Sequence, residues 1–358
     1  MLVLILAPYP PKNSPSQRFR FEHYLDEAEK HDIKFTYCSF SDINTWKIIF
    51  DKGKHFAKII GICKGFIKRF LLLFGITKYD FVYIHREAAP IGPPIFEWII
   101  AKLFRRKIIY DFDDAIWVKT SSKANPGVGW LKCTWKIKYI CRYSYIVTVG
   151  NDYLADYARQ YCKNVKVIPT VVDTINIHNK MKDQNETPLT IGWTGTFTNF
   201  YNLQRVVPTL DRLKEKYSLD FLIIADKDPK FNISNYSYIK WNALTEISDL
   251  RKIHIGLMPL DNSIVELGKC GFKAIQYMSL GIPAVVSPVG VNCKIVDDTI
   301  DGFWADSDAE WYEKLEKLII DVKLRTSMGI AARKKVILNY SVEHTVTDFF
   351  DLFKEPSS

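Results

Sequence analysis

Short apolar runs alternate with amphipathic segments along almost the whole of this chain, and the alternation stops once and then restarts. The first set of runs is Val3–Ala7, Lys34–Cys38, Phe81–His85, Lys107–Tyr110, Tyr145–Val149 and Val165–Ile168. Helical patterns lie between them, notably Phe19–Lys30, Pro94–Leu103 and Asp152–Tyr161. That order predicts an α/β domain with a doubly wound parallel sheet. The pattern pauses over residues 173–188, a polar stretch whose few large apolar residues include Ile175, Ile177 and Met181. It reads as an interdomain linker. A second set follows: Leu189–Trp193, Asp220–Ala225, Tyr238–Trp241, Ile255–Met258, Pro283–Ser287 and Gly302–Ala305 as strands. Leu203–Tyr217, Glu246–Lys252, Phe272–Leu280 and Asp308–Asp321 read as its helices.

The expected layout is therefore a first domain over 1–172, a linker over 173–188, and a second domain over 189–340. A closing helix over 341–358 is expected to pack back on the first domain. A length of 358 residues is enough for two such cores. Paired domains of this kind imply a central cleft, where ligands usually bind.

The formal net charge of +9 points to an anionic partner. Seven cysteines, at positions 38, 63, 133, 141, 162, 270 and 293, are odd in number and form no CxxC pair. They fit core thiols in a reducing compartment rather than a disulfide frame or a zinc site. Met1–Ala7 lacks a basic flank, and Phe70–Thr77 is far too short to cross a bilayer. A cytoplasmic protein is expected.

The stretch Gly268–Ser287 carries the strongest chemical signal. It reads as a glycine-bearing loop, a short helix, and a turn at Gly281 into a buried strand. Backbone N–H groups at such a helix start can hold a phosphate. Lys273 adds a positive charge one turn in.

These residues resemble a family. Gln276–Pro283, Asp80–His85, Ile191–Thr196, Val289-Gly290, Asp301–Phe303, Arg325-x-x-Met-Gly329 and Tyr340-Ser341 are similar to segments of the group 1 glycosyltransferases (glycosyltransferase family 4). The resemblance implies the GT-B fold, two Rossmann-like domains facing a central cleft. It also implies a nucleotide-sugar donor and transfer with retention of anomeric configuration. The departing phosphate is then expected to help deprotonate the acceptor, with no metal and no cofactor. The chain departs from the family at four places. Gln276 and Gly268 stand where the family has two glutamates, and Thr196 and Tyr201 stand where many members carry Arg and Lys.

The candidate donor-binding residues are Gly271, Phe272 and Lys273 for the diphosphate, through main-chain amides and one ammonium. Fixed donors there would stabilise the charge of the leaving group. Thr194, Gly195 and Thr196 form a turn whose N–H and hydroxyl groups are further candidates. Gln276 and Glu266 are candidates for the ribose and sugar hydroxyls, with Glu266 substituting for a missing carboxylate. The resemblance implies that His85 touches the donor sugar. The alternative for each is structural: a turn glycine, a solvated lysine, a core histidine.

Asp111-Phe-Asp113-Asp114 follows a strand, with Asp113 as a candidate catalytic group and Asp114 as an acceptor-site group. A metal reading of this cluster is disfavoured, because the Asp-x-Asp motif belongs to a glycosyltransferase fold without paired domains. An N-cap turn is the structural alternative. Arg18 and Arg20, in the loop after the first strand, are candidates for an acceptor or donor phosphate. Arg86 and Glu87 read as a solvated pair.

Trp46–Lys78 holds eight Lys/Arg and one Asp among isoleucines, leucines and phenylalanines. Phe56, Ile59, Ile60, Phe66, Ile67, Phe70 and Leu71 follow roughly helical spacing. A basic amphipathic helix of this kind suits an anionic membrane surface, with ordinary packing as the alternative. Trp130–Arg142 repeats the mixture. No nucleic-acid-binding module is present. The expected function is transfer of a sugar to a lipid-linked or other saccharide acceptor at the inner face of the plasma membrane, in cell-surface polysaccharide or glycan synthesis. Two readings stay open beside it: a sugar-nucleotide 2-epimerase of the same fold, and a catalytically silent binding or scaffold subunit.

Overall fold

The computed structural model describes residues 1–49, 51, 53–119, 129–231 and 236–354. The chain divides into two compact units, 1–170 with 346–358, and 171–345.

Unit 1 holds a parallel sheet of β1 (Leu2–Ala7), β2 (Lys34–Ser39), β3 (Phe81–His85), β4 (Lys107–Phe112), β5 (Ile146–Val149) and β6 (Val165–Val167), in the order β2-β1-β3-β4-β5-β6. Its central strands are buried on both faces, with Leu4, Ile5, Leu6, Val82 and Ile84 fully removed from water. Such strands read as continuous apolar runs, which is why they were visible in the sequence. Phe349 stacks on Tyr24 at 4.3 Å and Phe353 meets Phe81 edge-on at 5.9 Å, so the end of the chain completes this unit's core. The closing helix runs over Val342–Phe350, followed by a 3-10 turn at Asp351–Phe353. Residues 355–358 of the expected helix lie outside the described residues.

Unit 2 holds β7 (Thr190–Gly195), β8 (Asp220–Ala225), β9 (Ser237–Lys240), β10 (Ile255–Met258), β11 (Ala284–Val286) and β12 (Gly302–Trp304), in the order β12-β11-β10-β7-β8-β9. Its core joins Ile191, Trp193, Phe221, Ile223, Ile255 and Leu257 to helices that include Asp308–Ile320. The order reverses between β1 and β3 in unit 1, and between β7 and β10 in unit 2. In open parallel sheets, the crevice at the carboxyl ends of such strands is the usual ligand site.

Two expectations need correction. The stretch 173–188 is packed onto unit 2 and is not a free linker. Lys182 N–H donates to Leu280 O (2.7 Å), and Gln184 Nε2 donates to His254 O and Gly281 O (3.3 and 3.2 Å). The buried Gln184 side chain thus serves main-chain carbonyls of unit 2. The expected helix Leu203–Tyr217 is two helices, Phe200–Gln204 and Val207–Lys216. Pro208 has no N–H to return to Gln204, so the hydrogen-bond ladder breaks there. The seven cysteines are free thiols.

Candidate active site

In unit 1 the parallel register sets His85 of β3 beside Asp111 of β4, and Asp111 beside Thr148 of β5. Three polar side chains thus line up near the carboxyl ends of three adjacent strands. His85 and Asp111 are both 0% exposed. The Asp111 carboxylate accepts from His85 Nδ1 (2.8 Å), Thr148 Oγ1 (2.7 Å), and Arg20 Nε and Nη2 (3.3 and 2.5 Å). Burial would raise its pKa, but the Arg20 charge and the His85 contact override this and hold it well below the ordinary value. The Asp111 contact at Nδ1 fixes the orientation of the His85 ring. Ser16 Oγ stands 2.7 Å from His85 Nε2, within hydrogen-bond distance.

Arg86 follows His85 with a positive φ of 60°, which turns its side chain back across the strand ends. Its guanidinium donates to Asp113 Oδ1 (3.0 and 2.8 Å), Asp114 Oδ2 (2.6 Å) and Ser16 Oγ (3.2 Å). For Asp113, burial again pushes upward, and the Arg86 charge outweighs it and lowers the pKa. The side chains of Arg86, Asp113 and Asp114 stay 25%, 14% and 32% exposed, so this group is the open side of the cluster.

Several predicted residues behave differently from expectation. Arg20 is 2% exposed and is committed to Asp111 and Ile168 O, so it offers nothing to a ligand phosphate. Arg86 and Glu87 are not a solvated pair: Arg86 serves the two aspartates, and Glu87 takes the buried Lys136 at 2.7 Å. Arg18 lies over the Phe19 ring, 4.7 Å from its centroid. Asp113 and Asp114 both turn to Arg86. Among the described residues no group of three His, Cys, Asp or Glu converges as a metal cluster.

In unit 2 the switch point lies at the end of β7. Gly195 has no side chain there, and the Lys273 stem fills the space: a Cβ on Gly195 would meet Lys273 Cε at 2.9 Å and the Trp193 ring at 2.4 Å. Lys273 Nζ sits 5.6 Å from the Trp193 ring centroid. Gly271 starts the helix Phe272–Ser279 in the left-handed region, φ 65°. A Cβ there would lie 2.0 Å from Ile295 Cδ1, so both the backbone turn and the packing call for glycine.

The Thr194 amide is already bonded to Tyr277 Oη (2.8 Å), and the Phe197 amide to Asp226 Oδ1 (2.7 Å). The expectation that Thr194 N–H faces a phosphate is therefore corrected. Thr196 is exposed, and its hydroxyl meets Thr198 Oγ1 at 2.7 Å. Gln276 is buried and donates through Nε2 to Glu246 Oε1 (3.3 Å), which also accepts from Trp241 Nε1 (3.1 Å). Glu246, from a separate helix (Glu246–Leu250), supplies a carboxylate beside Gln276. Glu266 is 1% exposed; its Oε1 accepts from Tyr201 Oη, and its Oε2 has no hydrogen-bond partner.

Sequence reasoning missed Ser16, Thr148, Arg86, Tyr201 and Glu246 as members of these clusters. Only the strand register, or a contact across many residues, brings them in. Arg86 carried a local signal, as a charge directly after the histidine strand, and Tyr201 was visible only as a departure from the family pattern.

Two parallel α/β units with polar clusters at their switch points define the class. The chain has the GT-B fold. Its whole length aligns with sucrose-phosphate synthase from Thermosynechococcus elongatus (13% identity, 98% of each chain, TM-score 0.68). It aligns likewise with HepE from Anabaena in complex with UDP-glucose (12% identity, 98% of each chain, TM-score 0.70). A glycosyltransferase from Rickettsia africae ESF-5 matches at 13% identity over 99% of each chain, TM-score 0.66. Residues 248–335, which carry Glu266 through Pro283, match the family model for glycosyl transferases group 1. That stretch of unit 2 thus matches the family that the resemblance implied. No curated protein sequence matches it.

Proposed function

We propose that the chain is a retaining glycosyltransferase. It takes a sugar from a uridine diphosphate sugar and passes it to a saccharide carried on a lipid, in the assembly of a cell-surface glycan. The observation that carries the donor half is Lys273, laid across Gly195 at the switch point of unit 2. Its ammonium and the N–H groups at the start of Phe272–Ser279 suit a diphosphate. The UDP-glucose bound by HepE, a protein of the same fold, supports uridine as the base. Gln276 and Glu266 take sugar or ribose hydroxyls, Glu266 through its unpartnered Oε2. His85 and Asp113 serve the reacting groups, and Arg18 and Asp114 the acceptor.

The membrane half rests on the helix His55–Leu73. Lys58, Gly61, Gly65, Arg69 and Leu73 face inward, while Phe56 (77%), Ile59, Ile60, Ile67, Phe70 and Leu71 are exposed. Phe74, just beyond its end, is 76% exposed. An apolar outer stripe flanked by Lys54, Lys64 and Lys68 suits an anionic lipid surface. No helix among the described residues is long and apolar enough to cross a membrane.

Thermal shift with UDP-, GDP-, ADP- and CMP-sugars tests the donor. A rise with a UDP-sugar is expected, and no rise with any of them overturns the reading. Sedimentation with phosphatidylglycerol vesicles at low and high salt tests the membrane. Binding that falls with salt is expected, and none at low salt removes that half.

A further inference from the structure

A groove of about 250 Å³ on unit 1 is lined by Pro94, Ile95, Trp98, Trp135, Tyr139 and Tyr143. One wall is the helix Ile95–Trp98. The other is the helix Lys136–Tyr143 with Trp135 before it. Residues 135, 139 and 143 repeat at four-residue intervals, so their rings form one ladder along a helix face. Trp135 and Tyr139 meet edge to face at 5.6 Å.

The polarity of these helices is inverted. Glu97 and Lys136 point inward and are 2% and 1% exposed. Glu97 accepts the Ala88 amide (2.9 Å), and Lys136 donates to Ala89 O and Glu87 (2.7 Å each). Their neighbours Trp98 and Trp135 point outward, about half exposed. The folded unit leaves large aromatic rings in water where charged residues would ordinarily stand.

Three cations touch the same rings. Lys138 Nζ and Arg142 Cζ lie 5.1 and 5.4 Å from the Tyr139 centroid, and Lys102 Nζ lies 5.9 Å from that of Tyr143. An apolar trough with cations on its rim attracts an anionic head and repels a cationic one. Phe66 of the His55–Leu73 helix meets Phe96 at 6.0 Å, so the groove's first wall adjoins the helix proposed to lie on lipid.

We infer that this groove holds one hydrocarbon chain of an anionic lipid whose phosphate rests on Lys102, Lys138 and Arg142: the lipid carrier of the acceptor saccharide. The inference rests on the proposed transfer to a lipid-linked acceptor, and it names where the carrier's chain lies.

Titration of the full chain with monomeric hexyl, octyl and decyl phosphate tests it, followed by calorimetry. Affinity is expected to rise with chain length by up to about fourfold per methylene, then level off. Octyl trimethylammonium is expected to bind at least tenfold more weakly than octyl phosphate. Trp98→Ala and Trp135→Ala should each weaken octyl phosphate binding several-fold, and Arg142→Glu should weaken it without touching the apolar walls. Affinity indifferent to chain length overturns the inference, as does affinity unchanged in all three variants. Ile67→Glu/Phe70→Glu should reduce vesicle sedimentation and leave octyl phosphate binding intact. Failure of wild-type vesicle binding would fell the membrane reading alone. The UDP-sugar thermal shift, read on the same samples, reports the donor separately.

Discussion

Ser16 Oγ lies 2.7 Å from His85 Nε2, and the imidazole behind it is fully buried. The half-buried Ser16 hydroxyl therefore stands between the His85 ring and the open side of the cluster. Ser16→Ala removes the hydroxyl's contacts with His85 Nε2 and Arg86 Nε, at a cost of at least about 0.5–1.5 kcal/mol. Its expected effect is a two- to tenfold loss of turnover at saturating donor, with the UDP-sugar thermal shift preserved. Unchanged turnover would detach Ser16 from the reaction.

Arg20 and Asp111 form an ion pair with both side chains 1% exposed. Removing one partner strands the other as a buried charge, at a cost of about 3–5 kcal/mol. Arg20→Met and Asp111→Asn should each lower the urea midpoint of unit 1 markedly. The double change should cost less than the sum of the two. If Arg20→Met kept the wild-type midpoint and lost only acceptor binding, Arg20 would be a ligand residue after all.

Lys273→Ala is expected to lower turnover by about 10²–10³-fold, the usual loss when a fixed donor to a developing negative charge is removed. The side chain is only half-buried, so the melting temperature should hold. Lys273→Arg keeps the charge and should recover part of the rate. Steady-state kinetics at several donor concentrations measure this, and wild-type rates in Lys273→Ala would remove the residue from the mechanism.

His254 accepts the Thr190 amide at Nδ1 (3.0 Å) and donates from Nε2 to Glu186 O (2.9 Å), so the folded state requires the neutral ring. Burial, followed by the nearby Lys182 charge, pushes its pKa from 6.5 down to about 4. The unfolded chain takes up this proton below about pH 6.5 and the folded chain does not. The contribution of His254 to stability is therefore complete above pH 6.5 and declines as pH falls toward 4. Melting curves between pH 7.5 and 4.5 should show this slope, and His254→Gln should flatten it. An equal slope in the variant would rule the histidine out as its source.

The strands were legible because a buried parallel strand is an apolar run whatever surrounds it. Phe81–His85, Asp220–Ala225 and Ile255–Met258 match the sequence reading residue for residue. Polar residues are harder to read, because hydrogen bonds to water and to buried carbonyls leave the same composition. Gln184 and Lys182 looked like linker residues for that reason. Arg20 looked like a phosphate ligand because its partner, Asp111, stands 91 positions away. Gly195 and Lys273 were each legible, but the fit of one stem over the other's missing side chain was not. Glu246 gave no hint of its place beside Gln276, since their meeting depends on two separate helices.

The helix His55–Leu73 is attached by features that carry no hydropathy signal. Arg69 donates to Ala88 O (2.8 Å), Ala7 O (3.0 Å) and Cys38 Sγ (3.0 Å). A Cβ on Gly61 would strike Thr45 at 2.3 Å, and one on Gly65 the Phe40 ring at 2.5 Å. Adhesion to the body of the protein and greasiness toward the outside are thus encoded in separate letters of one segment. Its outer positions can be rewritten with glutamates and lysines to yield a variant that stays dispersed at high concentration, while a single methyl group at Gly65 would pry the segment loose with its overall hydropathy almost unaltered.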